Sequence, residues 1–352
     1  MIRRRKTCQI RVGNVKIGGD ASISIQSMAK TDTRDVIKTV AQIKELENAG
    51  CQIVRVAVKD IDAAKAIAGI KSRIDIPLVA DIHFDYRLAL IAIQSGADKI
   101  RINPGNMTKK QEIEAVVQAA KSQHIPIRIG LNSGSVIKHH GKSVSDAMVV
   151  SALHYIRLFE KLRFNDIIIS LKASSVPETV EAYRRIAKKC NYPLHLGITA
   201  AGLPEDGKIK SAVAFGALLL EGIGDTVRVS LTGDPISEIE AAKKILGAIG
   251  LGSFGPEIIS CPTCGRCQVD LVKITEELKA KINAISKTHK ALRPLKIAVM
   301  GCEVNGPGEA KDVDIALAAG KHSGMLFRKG KPIKKVAEKD FIKVLLEEIK
   351  KI

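Results

Sequence analysis

Between residues 23 and 250, short apolar runs rich in Ile and Val alternate with longer segments whose apolar positions recur every three or four residues. The first pattern suits strands buried on both faces, and the second suits helices with one buried stripe. The runs ISIQSM (23–28), IVRVAV (53–58), LVADIHF (78–84), KIRIN (99–103), IRIGLN (127–132), DIIISLKAS (166–174), LHLGITA (194–200) and TVRVSL (226–231) predict eight strands. A helical pattern follows each. TRDVIKTVAQIKELENAG, for example, opens on a capping Thr or Asp after Thr33 and stops at Gly50. Eight βα units within about 250 residues predict a TIM barrel. QIRVGNVKIGG, ahead of the first unit, predicts a small hairpin closing its bottom. A doubly wound open sheet is the alternative, because periodicity does not report closure.

After Gly250 the pattern changes. LGSFGPEIISC leads into CPTCGRCQVD, and then come a predicted helix over 269–285, the basic connector SKTHKALRPL, a strand KIAVMGC, the loop EVNGPGE, strands DIALAAG and GMLFRKGK, and a terminal helix DFIKVLLEEIKKI. Glycines cluster between Leu251 and Phe254, which places a domain boundary there, with a barrel at 1–252 and a smaller α+β domain at 253–352.

Composition agrees with this size. The chain has 352 residues and 45% hydrophobic content, enough for a barrel plus a smaller core. No window approaches the roughly 20 apolar residues of a membrane span, and MIRRRKT runs straight into polar sequence, so a cytoplasmic protein is expected. In that reducing compartment seven cysteines point to metal or redox chemistry over a disulfide framework. The net charge of +19 calls for anionic partners: nucleic acid, acidic proteins or phosphorylated metabolites. Aromatics at 3%, with no Trp, weigh against nucleic acid, where bases need stacking platforms.

Several predicted strands carry charge that a plain core strand would not. Arg55, Asp81 with His83, Arg101 with Asn103, Arg128 with Asn132, Lys172 and Arg228 lie in or at the ends of strands. An unpaired buried cation costs on the order of several kcal/mol, so such residues pair or meet ligand, and a TIM barrel uses them at its C-terminal mouth. Any one of them could point outward or pair with Asp81. The set Arg55, Arg101, Arg128 and Lys172, on four strands, reads better as a diphosphate clamp. His83 by itself reads more readily as a structural histidine than as a proton donor.

Cys261, Cys264 and Cys267 are evenly spaced, and Cys302 heads the glycine-rich GCEVNGPGEA with Glu309 close by. Cys8, Cys51 and Cys190 read as structural. Four assignments compete: a four-thiolate zinc site in a basic binding protein, a closed ferredoxin-like cluster, a radical S-adenosylmethionine centre, and a catalytic cluster with three thiolates and one displaceable ligand. The radical reading needs its cysteines in an early βα loop, and the ferredoxin reading lacks a nearby fourth Cys followed by Pro.

Taken together, CPTCGR, GCEVNGPGEA, QSMAKTDT, KIRINPGN, IRIGLNSGS and EGIGDTVRVSL resemble the 4-hydroxy-3-methylbut-2-enyl diphosphate synthases of the non-mevalonate isoprenoid pathway, in their short bacterial two-domain form. The resemblance covers essentially the whole chain, and CPTC with GC-x-VNGPGE is a specific pair. It implies a TIM barrel joined to a domain resembling those of sulfite and nitrite reductases, carrying a [4Fe-4S] cluster on Cys261, Cys264, Cys302 and Glu309. Cys267 is then a bystander. It implies reductive ring opening of 2-C-methyl-D-erythritol 2,4-cyclodiphosphate to the linear allylic diphosphate, with two electrons taken up and water lost. By motif, Arg55, Arg101, Arg128, Asn132 and Lys172 bind the diphosphate, Glu309 serves proton transfer, and His83 and Asn305 help to position. Reduced flavodoxin or ferredoxin is the implied electron donor. A homodimer in which the barrel of one subunit serves the cluster of the other is the implied assembly. The chain departs from the family pattern at Thr199-Ala200-Ala201-Gly202, where Glu usually follows Thr, and in a longer connector at 286–295. Either nearby Glu205 or Asp206 replaces the missing acid, or its role is dispensable here.

Overall fold

The computed structural model describes residues 2–103, 105–107, 109–136, 143–252, 254–288, 295–304 and 306–351. They fall into two units, Met1–Gly252 and Ser253–Ile352.

The first unit begins with an antiparallel hairpin, β1 (Ile10–Val12) and β2 (Val15–Ile17). Eight parallel strands follow: β3 (Ser24–Met28), β4 (Ile53–Ala57), β5 (Leu78–Ile82), β6 (Lys99–Ile102), β7 (Ile127–Asn132), β8 (Ile167–Lys172), β9 (His195–Leu196) and β10 (Thr226–Val227). Their lateral order is β8-β7-β6-β5-β4-β3-β10-β9. A parallel bridge between Ile169 and Leu194, with Ile169 N donating to Pro193 O at 2.9 Å, brings β8 against β9 and closes the ring. Closure rules out the open doubly wound sheet.

Outside the ring run α1 (Val36–Asn48), α2 (Ile61–Lys71), α3 (Tyr86–Gln94), α4 (Lys110–Ser122), α5 (Val144–Lys161), α6 (Val176–Ala187), α7 (Pro204–Leu220) and α8 (Ile236–Ala248). The first shows how local chemistry sets the boundaries. Asp35 caps α1 by accepting from Lys38 N at 3.0 Å, while Thr39, Val40, Ile43 and Leu46 form the buried stripe. Gly50, at φ +94°, turns the chain toward β4 in a conformation most side chains resist. The hairpin covers the barrel's floor, packing Ile10, Val12 and Ile17 against Ile53, Val79 and Ile168.

Side chains alternate along each barrel strand, so residues two apart share a face. Register sets Asp81 of β5 beside Arg101 of β6, and Arg101 beside Arg128 of β7. It also sets Asn132 beside Lys172. Regular pairing in β9 and β10 covers two residues each, less than the runs 194–200 and 226–231 predict. Just after β9, Gly197 leaves room for Lys172, since a Cβ there would fall 2.4 Å from Lys172 Nζ.

The second unit is a five-stranded mixed sheet, β11 (Glu257–Ser260), β12 (Lys296–Met300), β13 (Ile315–Gly320), β14 (Ser323–Arg328) and β15 (Lys331–Ala337), in that lateral order. The first three are parallel and the rest antiparallel. α9 (Leu271–Thr288) and α11 (Phe341–Ile349) bury Leu271, Leu278, Ile282, Leu345 and Ile349 with Ile297, Val299 and Leu317 of the sheet. The EVNGPGE stretch is not loop throughout, since α10 (Gly306–Glu309) forms one helical turn within it. β11 and β15 go beyond the sequence pattern. Five successive residues of β15, Lys331 to Lys335, are exposed, so no buried face marks it as a strand. It is held as an edge strand by its ladder to β14.

Candidate active site

The C-terminal halves of the barrel strands enclose a cavity of about 100 Å³. Arg55, Arg101, Arg128, Asn132 and Lys172 all line it, and so does His83. The strand ends add Asp81, Ser170, Thr199, Arg228 and Ser230. Arg55, Arg101, Arg128, Lys172 and Arg228 are each no more than 9% exposed, which makes the wall cationic and largely dry.

Asp81 is the counter-charge within this wall. Arg101 Nη1 donates to its Oδ1 at 2.9 Å, and Arg55 Nε lies 3.5 Å from its Oδ2. Burial opposes ionisation of the carboxyl, but Arg55 and Arg101 outweigh it and hold Asp81 well below the usual carboxylate range. Burial pulls Arg55 down to about 10, with Asp81 acting in the opposite direction. Arg101 Nη1 also lies 2.9 Å from His83 Nε2, and Nη2 donates to Gly130 O at 2.9 Å. The same His83 Nε2 lies 3.6 Å from Asp81 Oδ1. Gly130 is the space that lets Arg101 lie flat, for a Cβ there would sit 2.4 Å from Arg101 Nε.

Arg228 is neutralised from outside the cavity. Glu238 of α8 lies 3.3 Å from its Nη2, accepts from Leu231 N at 3.1 Å and pairs with Lys30 at 3.3 Å. Arg128 receives no such partner among the described residues. Its Nε and Nη1 are buried without a hydrogen bond among the described residues. Burial, then Arg128, Arg55 and Arg228, hold the Lys172 ammonium well below the usual lysine range. The pocket therefore contains donors and positive charge in excess of its own acceptors, which is what a polyanion requires.

Sequence reasoning missed Ser170, Thr199 and Ser230 as lining groups and named Arg228 only as a strand charge. A signal existed, because Ser170 and Ser230 lie two residues from Lys172 and Arg228 and so share their inward face. Ala200 follows Thr199 at the mouth, exposed and at φ +50°. Glu205 and Asp206 are exposed in the first turn of α7 and do not line the cavity.

In the second unit, Cys261 follows β11 and Cys302 follows β12, on adjacent parallel strands whose register pairs Ser260 with Val299. Gly301 lies between the thiols. Its N–H donates to Cys261 Sγ at 3.4 Å, and a Cβ on it would fall 2.3 Å from Cys267 Sγ. Cys302 is 5% exposed, Cys261 and Cys267 are half-buried, and Cys264 is exposed. Cys267 N donates to Cys264 O at 2.8 Å, closing a tight turn, while Thr263 inside CPTC sits at φ +52°, a costly conformation for a β-branched residue. Glu309 ends α10, exposed to solvent, and Asn305 lies outside the described residues.

A zinc ion needs its donors about 2.3 Å from one point. Among the described residues no three His, Cys, Asp or Glu side chains are so grouped, and the zinc reading finds no support. An iron-sulfur cluster spreads its protein ligands over several irons. Thiols at neighbouring strand ends, with a backbone N–H on one sulfur, fit that donor chemistry.

Two families match the chain: GcpE TIM-barrel domain over residues 7–243, and GcpE protein C-terminal domain over residues 257–351. A protein of Clostridium perfringens is 54% identical over 355 residues, covering 100% of both chains. One from Caldanaerobacter subterraneus is 55% identical, covering 100% of this chain and 99% of its own. Both are named 4-hydroxy-3-methylbut-2-en-1-yl diphosphate synthase (flavodoxin). Among solved structures, dihydropteroate synthase from Stenotrophomonas maltophilia covers 69% of this chain and 98% of its own at TM-score 0.53 and 15% identity, a likeness of barrel fold.

Proposed function

The chain belongs to the GcpE family, and from that premise we propose how its residues divide the work of a 4-hydroxy-3-methylbut-2-enyl diphosphate synthase. The enzyme opens the ring of 2-C-methyl-D-erythritol 2,4-cyclodiphosphate and removes one oxygen as water, giving (E)-4-hydroxy-3-methylbut-2-enyl diphosphate as two electrons are taken up. The carrying observation is the convergence of Arg55, Arg101, Arg128, Asn132 and Lys172 on one cavity in the barrel.

In this reading the diphosphate enters with its oxygens toward Arg128 and Lys172, whose charges lack a carboxylate partner at hydrogen-bonding distance among the described residues. Arg101 and Arg55 stay tied to Asp81 and set the shape of the site, while Asn132 offers an amide at the rim. Their fixed positions spare the bound ligand much of the ordering cost. His83, with Nε2 engaged by Arg101, positions the substrate through its Nδ1 side.

Cys261, Cys264, Cys302 and Glu309 are the residues that would hold a [4Fe-4S] cluster. When bound, it supplies single electrons and an iron with an exchangeable oxygen ligand. The Gly301 N–H would tune the Cys261 sulfur, and the Glu309 carboxylate, exposed at the end of one helical turn, would be the weaker, exchangeable ligand and the group available for proton transfer.

Reduced flavodoxin is the electron donor in this reading, and the basic exposed edge β15 supports docking of a small acidic protein. Two chains form the working unit. The outward side of α7 supports pairing, with Ile209, Val213 and Leu220 each more than half exposed along one apolar stripe.

Anaerobically prepared protein should contain about four irons per chain and turn over the cyclodiphosphate with reduced flavodoxin. Protein reconstituted with iron and sulfide that holds neither would end the reading.

A further inference from the structure

Below the cavity, the barrel interior holds more polar groups than the fold pairs. Lys99 of β6 is wholly buried, and its Nζ has no hydrogen-bond partner among the described residues. The same is true of both ring nitrogens of His195 on β9 and of the side-chain amide of Gln26 on β3. Lys99 does not line the cavity, yet its neighbour Arg128 does. The charged groups around this interior are Arg55 on β4, Asp81 on β5, Arg101 on β6, Arg128 on β7, Lys172 on β8 and Arg228 on β10. Asp81 is already shared by Arg55 and Arg101, and Glu238 is engaged with Arg228 and Lys30. Among the described residues, Lys99 is thus an amine enclosed among cations with no anion of its own.

We propose that Lys99 is uncharged in the ligand-free barrel and takes up a proton when a diphosphate enters the cavity above it, so that substrate capture and proton uptake are one coupled event. This rests on the reading that the cavity takes a diphosphate. Burial, then Arg128 and Arg55, hold the Lys99 ammonium well below the usual lysine range. A diphosphate over Arg128 and Lys172 offsets the repulsion that Arg128 exerts, and the ammonium form becomes tolerable beneath it. Lys99 then adds a positive charge to the site without touching the ligand. It is a positioning residue acting through Arg128. Linkage fixes the direction: diphosphate binds more tightly as pH falls through the interval between the free and bound pKa values of Lys99. His195 and Lys172 are the competing acceptors: burial, then Arg128, Lys172, Lys99 and Arg55, disfavour the charged form of His195, and burial, then Arg128 and Arg55, disfavour that of Lys172.

The test is calorimetric titration of the full-length, anaerobically prepared protein with inorganic pyrophosphate at pH 8, in buffers of different ionisation enthalpy, which gives the protons taken up per site. Wild type should take up more than Lys99→Met, by a difference approaching one proton per site, and His195→Gln should match wild type. Equal proton numbers in wild type and Lys99→Met overturn the proposal, as does a deficit confined to His195→Gln. Should Lys99→Met fail to fold, Lys99→Gln, which carries no titrating group, takes its place: it too should take up fewer protons than wild type, and equal numbers again overturn the proposal. Absence of pyrophosphate binding in wild type overturns the diphosphate reading of the cavity itself, a separate result from equal proton numbers.

Discussion

One nitrogen of Arg101, Nη1, lies 2.9 Å from both Asp81 Oδ1 and His83 Nε2. A fixed anion therefore stands inside a cationic pocket and holds Arg55 and Arg101 in place. Asp81→Asn should destabilise the barrel by about 3–5 kcal/mol, because it strands two buried guanidinium groups. Urea unfolding measures this. The sign with pH follows from a folded-state pKa held below the unfolded value: the contribution is complete above about pH 3.9 and disappears as pH falls through the lower folded value. Asp81→Asn should lack that acid-side loss.

Gly130 and Gly197 are the two places where the barrel wall makes room for a cation. Gly130→Ala puts a methyl group 2.4 Å from Arg101 Nε, and Gly197→Ala puts one 2.4 Å from Lys172 Nζ. Displacing either cation by about 1 Å should cost on the order of 100-fold in kcat/KM. Iron content should be unchanged. Steady-state kinetics beside iron analysis separates displacement of the clamp from general damage.

In the proposed reading the cysteines divide by role. Cys302→Ser should lose the cluster, read as absent visible absorbance and lowered iron, whereas Cys267→Ser should keep both. Glu309→Ala should abolish turnover with a chemical reductant. A colourless Cys267→Ser protein would overturn the assignment of Cys267 as a bystander beside Gly301.

Edge lysines on β15 block unwanted strand pairing, and in this reading they also receive the electron carrier. Lys334→Glu combined with Lys335→Glu should raise KM for reduced flavodoxin by about tenfold and leave turnover with dithionite unaltered. The wild-type rate with flavodoxin should fall with added salt.

Lys99→Met should stabilise the barrel by about 1 kcal/mol or more, since a buried group without a partner is replaced by an apolar side chain of similar length. The folded pKa of Lys99 is depressed, so the unfolded chain binds more protons over the interval up to about pH 10.4, and wild-type stability rises with pH there. The variant should show a shallower rise, measurable by urea unfolding from pH 7 to 10.

Much of this was legible in the chain. Eight apolar runs marked eight barrel strands because each is buried on both faces, and Arg55, Arg101, Arg128 and Lys172 stood out as charges such strands should not contain. Lys99 escaped notice for a physical reason. At the first position of its strand it reads as a solvated flank, and only its spacing of two from Arg101 puts it on the inward side. β15 escaped because its ladder to β14 holds it, with Val336 as its buried residue, and an edge strand exposed on both faces leaves no alternation to read. The arrangement of Glu309 relative to the thiols lies beyond any sequence period, since it depends on where one helical turn ends.

The apolar seal formed by Ile10, Val12 and Ile17 against Ile53, Val79 and Ile168 turns the barrel into a blind vessel. Whatever enters between the strand ends must leave by the same mouth. If the cavity takes the diphosphate as proposed, turnover is a queue at one door: product has to depart before fresh substrate arrives, and the product should inhibit by direct competition for the same cations.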